Sequence, residues 1–197
     1  MSNLTVETLR DREARHAAID DLARLRITVF REWPYLYDGS VDYEQRYLSA
    51  FLDGADAALV IARDGSAIIG AATASPMSGQ DEPLQAPFRA QGIEVDRLFY
   101  FGESVLLDAY RGHGLGHAFF DAREAAAREA GATATCFCGV IRPADHPLRP
   151  AEARDLGPFW RKRGYQLLER IMAEYRWKDI DQTDETSHPM QFWSRDL

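Results

Sequence analysis

The chain has 197 residues, of which 46% are hydrophobic and 27% are charged, and its formal net charge at pH 7 is −8. This length supports one sizeable core, and we expect a single domain over residues 1–197. The acidic balance argues against nucleic acid and anionic membranes as partners, because both reward a basic surface. The sequence shows neither an apolar leader at its start nor a stretch of about 18 apolar residues, so we expect a cytoplasmic protein without a membrane partner.

In chain order, the first half of the sequence predicts a strand, two helices and a hairpin. Residues 3–9 alternate between apolar and polar types, which is typical of a strand. An apolar stripe across residues 11–33 indicates a helix, and a second short helix is predicted at 42–54, after a loop rich in tyrosine. Two apolar runs within residues 57–74, joined at Asp64–Gly65, form the clearest hairpin.

The second half predicts a loop at 75–88 with one helical turn around residues 83–91, followed by alternating strands and helices. These further elements are a strand at 97–107, a helix at 115–131, a strand at 132–141, a helix at 153–164 and strands at 166–177 and 189–197. The order describes an α/β (α+β) fold in which one mixed, mostly antiparallel sheet of about seven strands carries helices on both faces.

The two cysteines, Cys136 and Cys138, lie two positions apart in a predicted strand. Alternation places both thiols on one face of that strand, which fits two reduced core residues better than a zinc site or a redox pair. No cluster of His, Cys, Asp or Glu has the spacing of metal ligands, so we expect no metal.

Residues 111–116 read Arg-Gly-His-Gly-Leu-Gly and lie between a predicted strand and a predicted helix. Glycine lets a backbone approach a ligand closely, and the unpaired N–H groups at a helix start bind anions. A phosphate site is therefore the functional interpretation, and a plain strand-to-helix turn is the alternative. The dinucleotide fingerprint does not fit, because His117 stands where it needs glycine, and no lysine completes a P-loop.

The pattern that remains, Arg-x-x-Gly-x-Gly within "LLDAYRGHGLG" (residues 106–116), resembles the signature of the GNAT superfamily of acyl-CoA-dependent N-acetyltransferases. The segment "PFWRKRGY" (residues 158–165) resembles a later helix of the same family. The predicted order of elements is similar to that of the family over essentially the whole chain. The resemblance implies a GNAT fold.

This resemblance implies acetyl-CoA as the co-substrate, with amides from Arg111 to Gly116 around its pyrophosphate. It also implies that two parallel strands splay apart beside residues 104–106, whose backbone pairs with the pantetheine arm. The N–H of Val105 or Leu106 is then expected to stabilise the oxyanion that develops on the thioester. The coenzyme-binding residues expected on this basis are Ser104, Val105, Leu106, Arg111, Gly112, His113, Gly114, Leu115, Gly116 and Trp160.

Glu103 stands inside the apolar run of residues 99–107. Strict alternation places it on the face of Phe99, Phe101 and Val105, although the adjacent Gly102 indicates a bulge that would re-aim the side chain. We interpret Glu103 as the candidate general base that deprotonates the attacking amine, directly or through water. The alternative is a structural carboxylate paired with an arginine or a hydroxyl group.

In many members of the family a tyrosine of the later helix protonates the leaving thiolate, but that position holds Trp160 here. Tryptophan has no acidic proton to give, so another tyrosine or water is expected to supply it. Trp160 itself is predicted to pack beside the pantetheine.

The resemblance places the acceptor site between the loop after the first helix and the loop between the last two strands. The first loop brings Trp33, Tyr35 and Tyr37, which we predict to line the pocket, with ordinary packing as the alternative. The second loop, residues 179–185, is acidic and would favour a cationic amine, unless it is only a solvated loop.

Together these features predict an N-acetyltransferase that moves an acetyl group from acetyl-CoA to a primary amine by direct attack in a ternary complex. The alternatives are a GNAT-fold module that binds or senses acyl-CoA without turnover, and a transferase of a longer acyl group. The acceptor is expected to be a small molecule or a peptide amine, and the protein a monomer or a homodimer.

Overall fold

The computed structural model describes residues 3–197, which form a seven-stranded sheet and six helices. The strands are β1 Leu4–Leu9, β2 Ala58–Asp64, β3 Ala67–Pro76, β4 Leu98–Leu106, β5 Ala134–Val140, β6 Gln166–Lys178 and β7 Glu185–Asp196. The helices are α1 Arg12–Ala17, α2 Ile19–Phe30, α3 Val41–Leu52, α4 Glu82–Ala90, α5 Leu115–Glu129 and α6 Gly157–Lys162. Within residues 3–197, none of these helices is both long enough and apolar enough to cross a membrane.

The strands lie in the order β1-β2-β3-β4-β5-β7-β6. Strands β4 and β5 are parallel, and the other neighbouring pairs are antiparallel. A parallel pair needs a long crossover connection, which α5 supplies here. This mixed, mostly antiparallel sheet with helices on both faces confirms the predicted fold class.

Each face of the sheet has its own layer of helices. On the face that we call the α2–α3 face, Leu22 and Leu48 belong to the same apolar cluster as Val105 of β4. On the opposite face, the α5 face, Phe119 packs with Val60 of β2. Because β2 is covered on both faces, its sequence is a continuous apolar run rather than an alternating one.

Two predicted helical segments differ from the structure. The helix predicted over residues 11–33 is divided into α1 and α2 at Ala18, whose N–H donates to the Arg15 carbonyl at 3.2 Å in a tightened last turn. The single turn predicted around residues 83–91 is instead the nine-residue helix α4. Pro83 lies in its first turn, where proline is tolerated, and Pro87 follows four residues later, so the helix loses only the hydrogen bond to the Pro83 carbonyl.

A β-bulge in β4 decides which way Glu103 faces. Two residues of β4, Gly102 and Glu103, together oppose the single Thr73 of β3. A Cβ atom at Gly102 would lie 2.5 Å from Thr73 Oγ1, so this close approach requires glycine. The extra residue reverses the alternation: Phe101 faces α5, whereas Glu103 and Val105 face α2 and α3. The prediction from strict alternation that Glu103 shares a face with Phe101 is therefore wrong, whereas the bulge indicated by Gly102 is present.

Candidate active site

A cavity opens where β4 and β5 separate. The two strands pair over three residues each, ending at Tyr100 opposite Cys136, and splay apart beyond that point. The gap belongs to a cavity of about 620 Å³ whose walls include residues 101–104 of β4 and residues 137–140 of β5. Its walls also include residues of α5 on one face and of the loop after α2 on the other, so the cavity reaches through the sheet.

The open edge of β4 presents backbone groups to this cavity. The Leu107 N–H donates to the Ile69 carbonyl at 3.0 Å. In an antiparallel pair, the backbone N–H and C=O groups that bond one neighbouring strand belong to every second residue. Val105 therefore bonds β3 as Leu107 does, and the N–H groups of Ser104 and Leu106 point the other way, toward the splayed edge. Of the two amides expected to face a thioester, Leu106 therefore has the required direction and Val105 does not.

The loop before α5 leaves five consecutive N–H groups free. Gly112 and Gly114 have φ angles of 83° and 81°, a left-handed conformation that favours glycine. The N–H groups of residues 112–116 donate no hydrogen bond to any of residues 3–197. They lie at the start of a 15-residue helix, whose dipole adds to their attraction for an anion. The Arg111 N–H is not among them, because it donates to the Asp108 carbonyl at 3.0 Å, so the free amides begin one residue later than predicted.

The side chains of this loop hold its shape. Arg111 pairs with Glu32 at 2.6 Å and with Asp108 at 3.0 Å, which ties the loop to the end of α2. His113 Nδ1 lies 3.1 Å from the Arg111 carbonyl oxygen. Leu115 is buried and anchors the first residue of α5 against the sheet. The backbone amides of residues 112–116 therefore lie on a loop whose shape is held by Arg111, His113 and Leu115.

Glu103 lies in the cavity wall as part of a buried ion-pair network. Its Oε2 atom is 2.7 Å from Nη1 of Arg26, and Nε of Arg26 bonds Oε2 of Glu44. Glu103 and Glu44 are 6% and 0% exposed. In each of the two carboxylates, Oε1 has no hydrogen-bond partner among the described residues. Two carboxylates thus share one guanidinium, and with both ionised the network carries one excess negative charge.

Arg26 is held firmly as a cation. Burial acts to lower its pKa, but the charges of Glu103 and Glu44, together with Tyr47, outweigh burial, so the pKa lies above the ordinary value for arginine. The rings of Tyr47 and Phe30 lie 4.7 and 4.9 Å from Cζ of Arg26 and pack the guanidinium in place. Arg26 therefore fixes one oxygen of Glu103 and leaves the other for a further donor.

The loop after α2 brings Trp33 and Tyr35 to the cavity, but not Tyr37. Trp33 and Tyr35 are both part of its wall. The Tyr37 ring lies instead against Gly39, and its pKa is raised by burial and then by the charge of Glu44. Tyr37 therefore borders the ion-pair network and stands outside the wall.

Arg142, two residues after the end of β5, fixes the same loop to the β6–β7 hairpin. Its guanidinium pairs with Asp179 through two contacts of 2.6 and 2.8 Å, and both side chains are buried. It also donates to the carbonyls of Pro34 at 2.8 Å and Tyr35 at 2.6 Å. Trp177 adds an Nε1–H bond to the Tyr35 carbonyl at 3.0 Å. These bonds to the carbonyls of Pro34 and Tyr35 hold the segment that carries Trp33 and Tyr35 at the wall.

The charges at the cavity differ from the acidic lining expected from the loop sequence. Asp179 is neutralised by Arg142, and the other acidic residues of 179–185 are exposed and lie outside the wall. The wall is mainly apolar, and its charged members are Glu103, Arg123, Arg142, Arg149, Arg154 and Asp155. The loop acids therefore give no support to selection of a cation.

Trp160 of α6 forms part of the wall on the α5 face. Its ring lies 5.0 Å from that of Phe137 and 5.2 Å from that of Trp193. The wall contains one phenol, Tyr35, and one thiol, Cys138. Burial raises the pKa of both groups, and that of Cys138 reaches about 12.

Of the charged groups at or behind the wall, the sequence predicted only Glu103, and Arg26, Glu44 and Arg123 are among those that it missed. Arg26 follows Leu22 by four residues, and Arg123 follows Phe119 by four, so both arginines lie in the apolar stripe of a helix. A charged residue in an apolar stripe is the signal that could have identified them. No group of three or more potential metal ligands occurs in the part of the chain that the structure describes.

Comparison with known proteins agrees with this geometry. Residues 19–157 match the sequence model of the acetyltransferase (GNAT) family, which is more than half of the chain. No curated protein matches the sequence.

Solved structures are similar across nearly the whole fold. The structure of yncA from Salmonella typhimurium with its cofactor acetyl-CoA has a TM-score of 0.56 at 12% identity, covering 98% of this chain and 94% of that one. An N-acetyltransferase from Staphylococcus aureus has a TM-score of 0.60 at 11% identity, covering 99% of each chain. A ribosomal-protein-alanine N-acetyltransferase from Brucella melitensis has a TM-score of 0.61 at 11% identity, covering 98% and 99%. At these identities the similarity establishes a shared fold.

Proposed function

The chain belongs to the GNAT acetyltransferase family, and from this premise we propose that it transfers the acetyl group of acetyl-CoA to a primary amine by direct attack in a ternary complex. The five free N–H groups at residues 112–116 support this function most directly, because they end at Gly116, which lies in the wall of the same cavity as Glu103. An anion-binding helix start, an open strand edge and a carboxylate then share one cavity.

The coenzyme would bind on the α5 face. Its pyrophosphate needs several donors at close range, and the amides of residues 112–116 offer them without side chains in the way. The pantetheine arm carries amide groups that match the N–H groups of Ser104 and Leu106 at the open edge of β4. The Leu106 carbonyl already accepts from the Arg111 side chain at 3.3 Å. The same edge would place an N–H against the thioester carbonyl, where it stabilises the developing oxyanion. Trp160 would pack beside the arm.

Glu103 would accept the proton of the acceptor ammonium. Its Oε1 has no partner, while Oε2 is held by Arg26, so the carboxylate is oriented and one oxygen remains available. Once deprotonated, the amine nitrogen attacks the thioester carbon, the N–C bond forms, and the C–S bond breaks with its electron pair on sulfur. Glu103 passes the first proton to solvent, and the second proton, which nitrogen loses as the amide forms, leaves by the same route.

The acceptor would be an amine on an apolar body. The wall on the α2–α3 side consists mainly of aromatic and aliphatic groups, among them Phe30, Trp33 and Tyr35. Apolar walls with few polar groups select by shape and contact area. A peptide N-terminus and a small arylalkylamine both fit this description.

An assay of acetyl-CoA with a panel of primary amines, read by a thiol-trapping dye, tests the proposed function. We expect thiol release that depends on the amine and is faster for amines with apolar bodies than for small polar ones. Coenzyme A binding without thiol release in the presence of any amine would instead support a module that binds acyl-CoA without turnover. The structural argument for that alternative is that position 160 holds a tryptophan and not a tyrosine. Faster turnover of a longer acyl donor would identify the transferase of a longer acyl group.

A further inference from the structure

Arg123 of α5 is a buried cation without an anionic partner. It is 2% exposed and lies in the cavity wall. Its Nε donates to the Phe119 carbonyl at 3.2 Å and its Nη1 to the Glu103 carbonyl at 3.3 Å. The guanidinium carbon lies 4.3 Å from the Phe101 ring centroid and 4.9 Å from that of Phe120. Among the described residues, the guanidinium of Arg123 donates hydrogen bonds only to these two backbone carbonyls and packs on these two aromatic rings.

The carboxylates nearest to Arg123 are engaged elsewhere. Glu103, on β4, directs its carboxylate to Arg26 on the opposite face of the sheet. Glu124, the next residue of α5, pairs with Arg163 at 2.9 Å and with Arg195 at 3.0 Å. Arg123 therefore keeps an unneutralised charge at the cavity.

Such a charge is costly unless the cavity receives an anion. Burial lowers the pKa of Arg123 to about 10, with Tyr165, Glu103 and Glu124 opposing that effect and Arg163 adding to it. The group therefore stays protonated at neutral pH. A charged group left in a low-dielectric wall is complementary to a negative charge that arrives there or develops there.

Acetyl transfer creates such a negative charge on the sulfur of coenzyme A, and no side chain of the cavity wall is a suitable acid to protonate it. Trp160 has no acidic proton. Tyr35 and Cys138 could each donate one, but burial raises the pKa of both groups, so their anions are disfavoured. An electrostatic partner for the thiolate is then the remaining way to assist its departure.

We propose that Arg123 is a catalytic residue whose guanidinium stabilises the departing coenzyme A thiolate; this inference rests on the proposed acetyl transfer. The nitrogen–carbon bond forms, the carbon–sulfur bond breaks, and sulfur keeps the electron pair as a thiolate beside Arg123. Before the attack Glu103 takes the ammonium proton and passes it to solvent, and the second proton, which nitrogen loses as the amide forms, leaves by the same route. The thiolate takes a proton from solvent as coenzyme A departs.

Titration of free coenzyme A bound to the unmodified protein tests this without any substitution. The thiolate absorbs in the ultraviolet, so its pKa can be followed directly. We expect the bound thiol to titrate at least about one unit below the pKa of free coenzyme A in the same buffer. Cys136 and Cys138 stay silent in this range, because burial raises the pKa of both. A bound thiol that titrates at or above its free value would overturn the role of Arg123.

The variants Arg123→Met and Arg123→Lys extend the test, with Arg128→Met as the control for loss of a charge from an exposed position of the same helix. Arg123→Met should raise the pKa of the bound thiol to its free value or above and lower kcat by about 100-fold. Arg123→Lys should retain part of both effects, and Arg128→Met should change neither. Equal thiol pKa values in Arg123→Met and the unmodified protein would contradict the inference, whatever happens to stability.

Calorimetry separates this inference from the proposed function. If coenzyme A binds and amines are acetylated, but the pKa of the bound thiol is unshifted, the result contradicts only the proposed role of Arg123. If coenzyme A does not bind at all, the proposed acetyl transfer falls and the inference falls with it.

Discussion

The cavity has two halves that are built in different ways. The coenzyme half, residues 98–129, is one continuous stretch of chain that offers backbone N–H groups at the edge of β4 and at the start of α5. The acceptor half, residues 26–44 with Arg142 and residues 177–179, is assembled from distant segments by side-chain ion pairs. Arg142 bonds Pro34 across 108 positions, and Trp177 bonds Tyr35 across 142.

This difference suggests a division of roles. Backbone groups bind a constant ligand, because their geometry depends on the fold and only weakly on the side chains present. Side-chain networks can change one residue at a time, so they suit the part of the site that must recognise a particular acceptor. Coenzyme A binding should therefore tolerate many side-chain changes in the coenzyme half but few changes at glycine, whereas acceptor binding should tolerate few side-chain changes in the acceptor half.

The largest effect should come from Gly114→Glu in the coenzyme half. Gly114 has a positive φ, and a glutamate there would strain the loop and place negative charge beside the pyrophosphate. Repulsion and crowding of several kcal/mol should weaken coenzyme A binding by about 1,000-fold or more. Isothermal calorimetry measures the loss.

Gly131→Glu is the matched control, since Gly131 also has a positive φ, of 78°, but lies beyond the other end of α5. It should cost similar stability while leaving coenzyme A affinity within about threefold. Equal losses of affinity in the two variants would show that strain in the helix, rather than the free amides, controls binding.

The next largest effect should be Arg142→Met in the acceptor half. The substitution leaves the buried Asp179 carboxylate without its cation and should lower the free energy of unfolding by about 3 kcal/mol. It should also raise KM for the amine while coenzyme A affinity stays unchanged, because the loop that carries Trp33 and Tyr35 loses its anchor. Denaturant titration and steady-state kinetics measure the two effects.

The double variant Arg142→Met/Asp179→Leu sharpens this test. Removing both charges eliminates the unpaired carboxylate, so stability should recover in large part while the acceptor KM stays high. A double variant that is no more stable than the single one would show that the pair does not account for the loss.

Much of the coenzyme half could be predicted from the sequence, because its signals are local. The helix start after Gly114 and the apolar strand before the loop are both set within a few residues of chain. The free N–H groups follow from the same stretch, and only the Arg111 amide differs, since it bonds a carbonyl three residues back. The direction of Val105 required the register with β3, which no local pattern contains.

The acceptor half could not be predicted in the same way. Nothing in the neighbourhood of Glu103 indicates that it pairs with Arg26, or that Glu44 shares that arginine, because Arg26 and Glu44 lie on two separate helices. Nor does the acidic sequence at 179–185 reveal that Asp179 is neutralised by Arg142. Ion pairs between distant segments depend on tertiary packing, and the local pattern of a single sequence does not indicate which distant residues will pair.

A smaller effect, confined to catalysis, should follow from Glu103→Gln. The amide keeps the shape but cannot take a proton, so kcat should fall by about 100-fold at low pH, where the amine is charged. The loss should shrink as pH rises and free amine becomes abundant. Glu44→Gln, which alters the other carboxylate on Arg26 outside the cavity wall, should lower the rate uniformly and by less. A loss for Glu103→Gln that is flat across pH would assign Glu103 to structure.

The smallest effect concerns His188, which is buried against the acceptor half. Its ring stacks on Trp177 at 3.8 Å and lies 3.5 Å from Oδ1 of Asp179. Burial lowers its pKa, Asp179 and the Trp177 carbonyl oppose that shift, and Arg142 adds to it. The unfolded chain therefore binds the proton more readily, so the stability that neutral His188 contributes is present above its ordinary pKa of 6.5 and is lost as pH falls below it.

Thermal unfolding followed between about pH 5 and pH 7.5 should accordingly show a decline toward the acid side, with a slope of less than one proton. His188→Gln should flatten that slope without altering coenzyme A affinity, because the residue lies on the acceptor side of the molecule. If the slope persists unchanged in His188→Gln, the acid sensitivity belongs to the carboxylates, and the acceptor half is no more sensitive to mild acid than the coenzyme half.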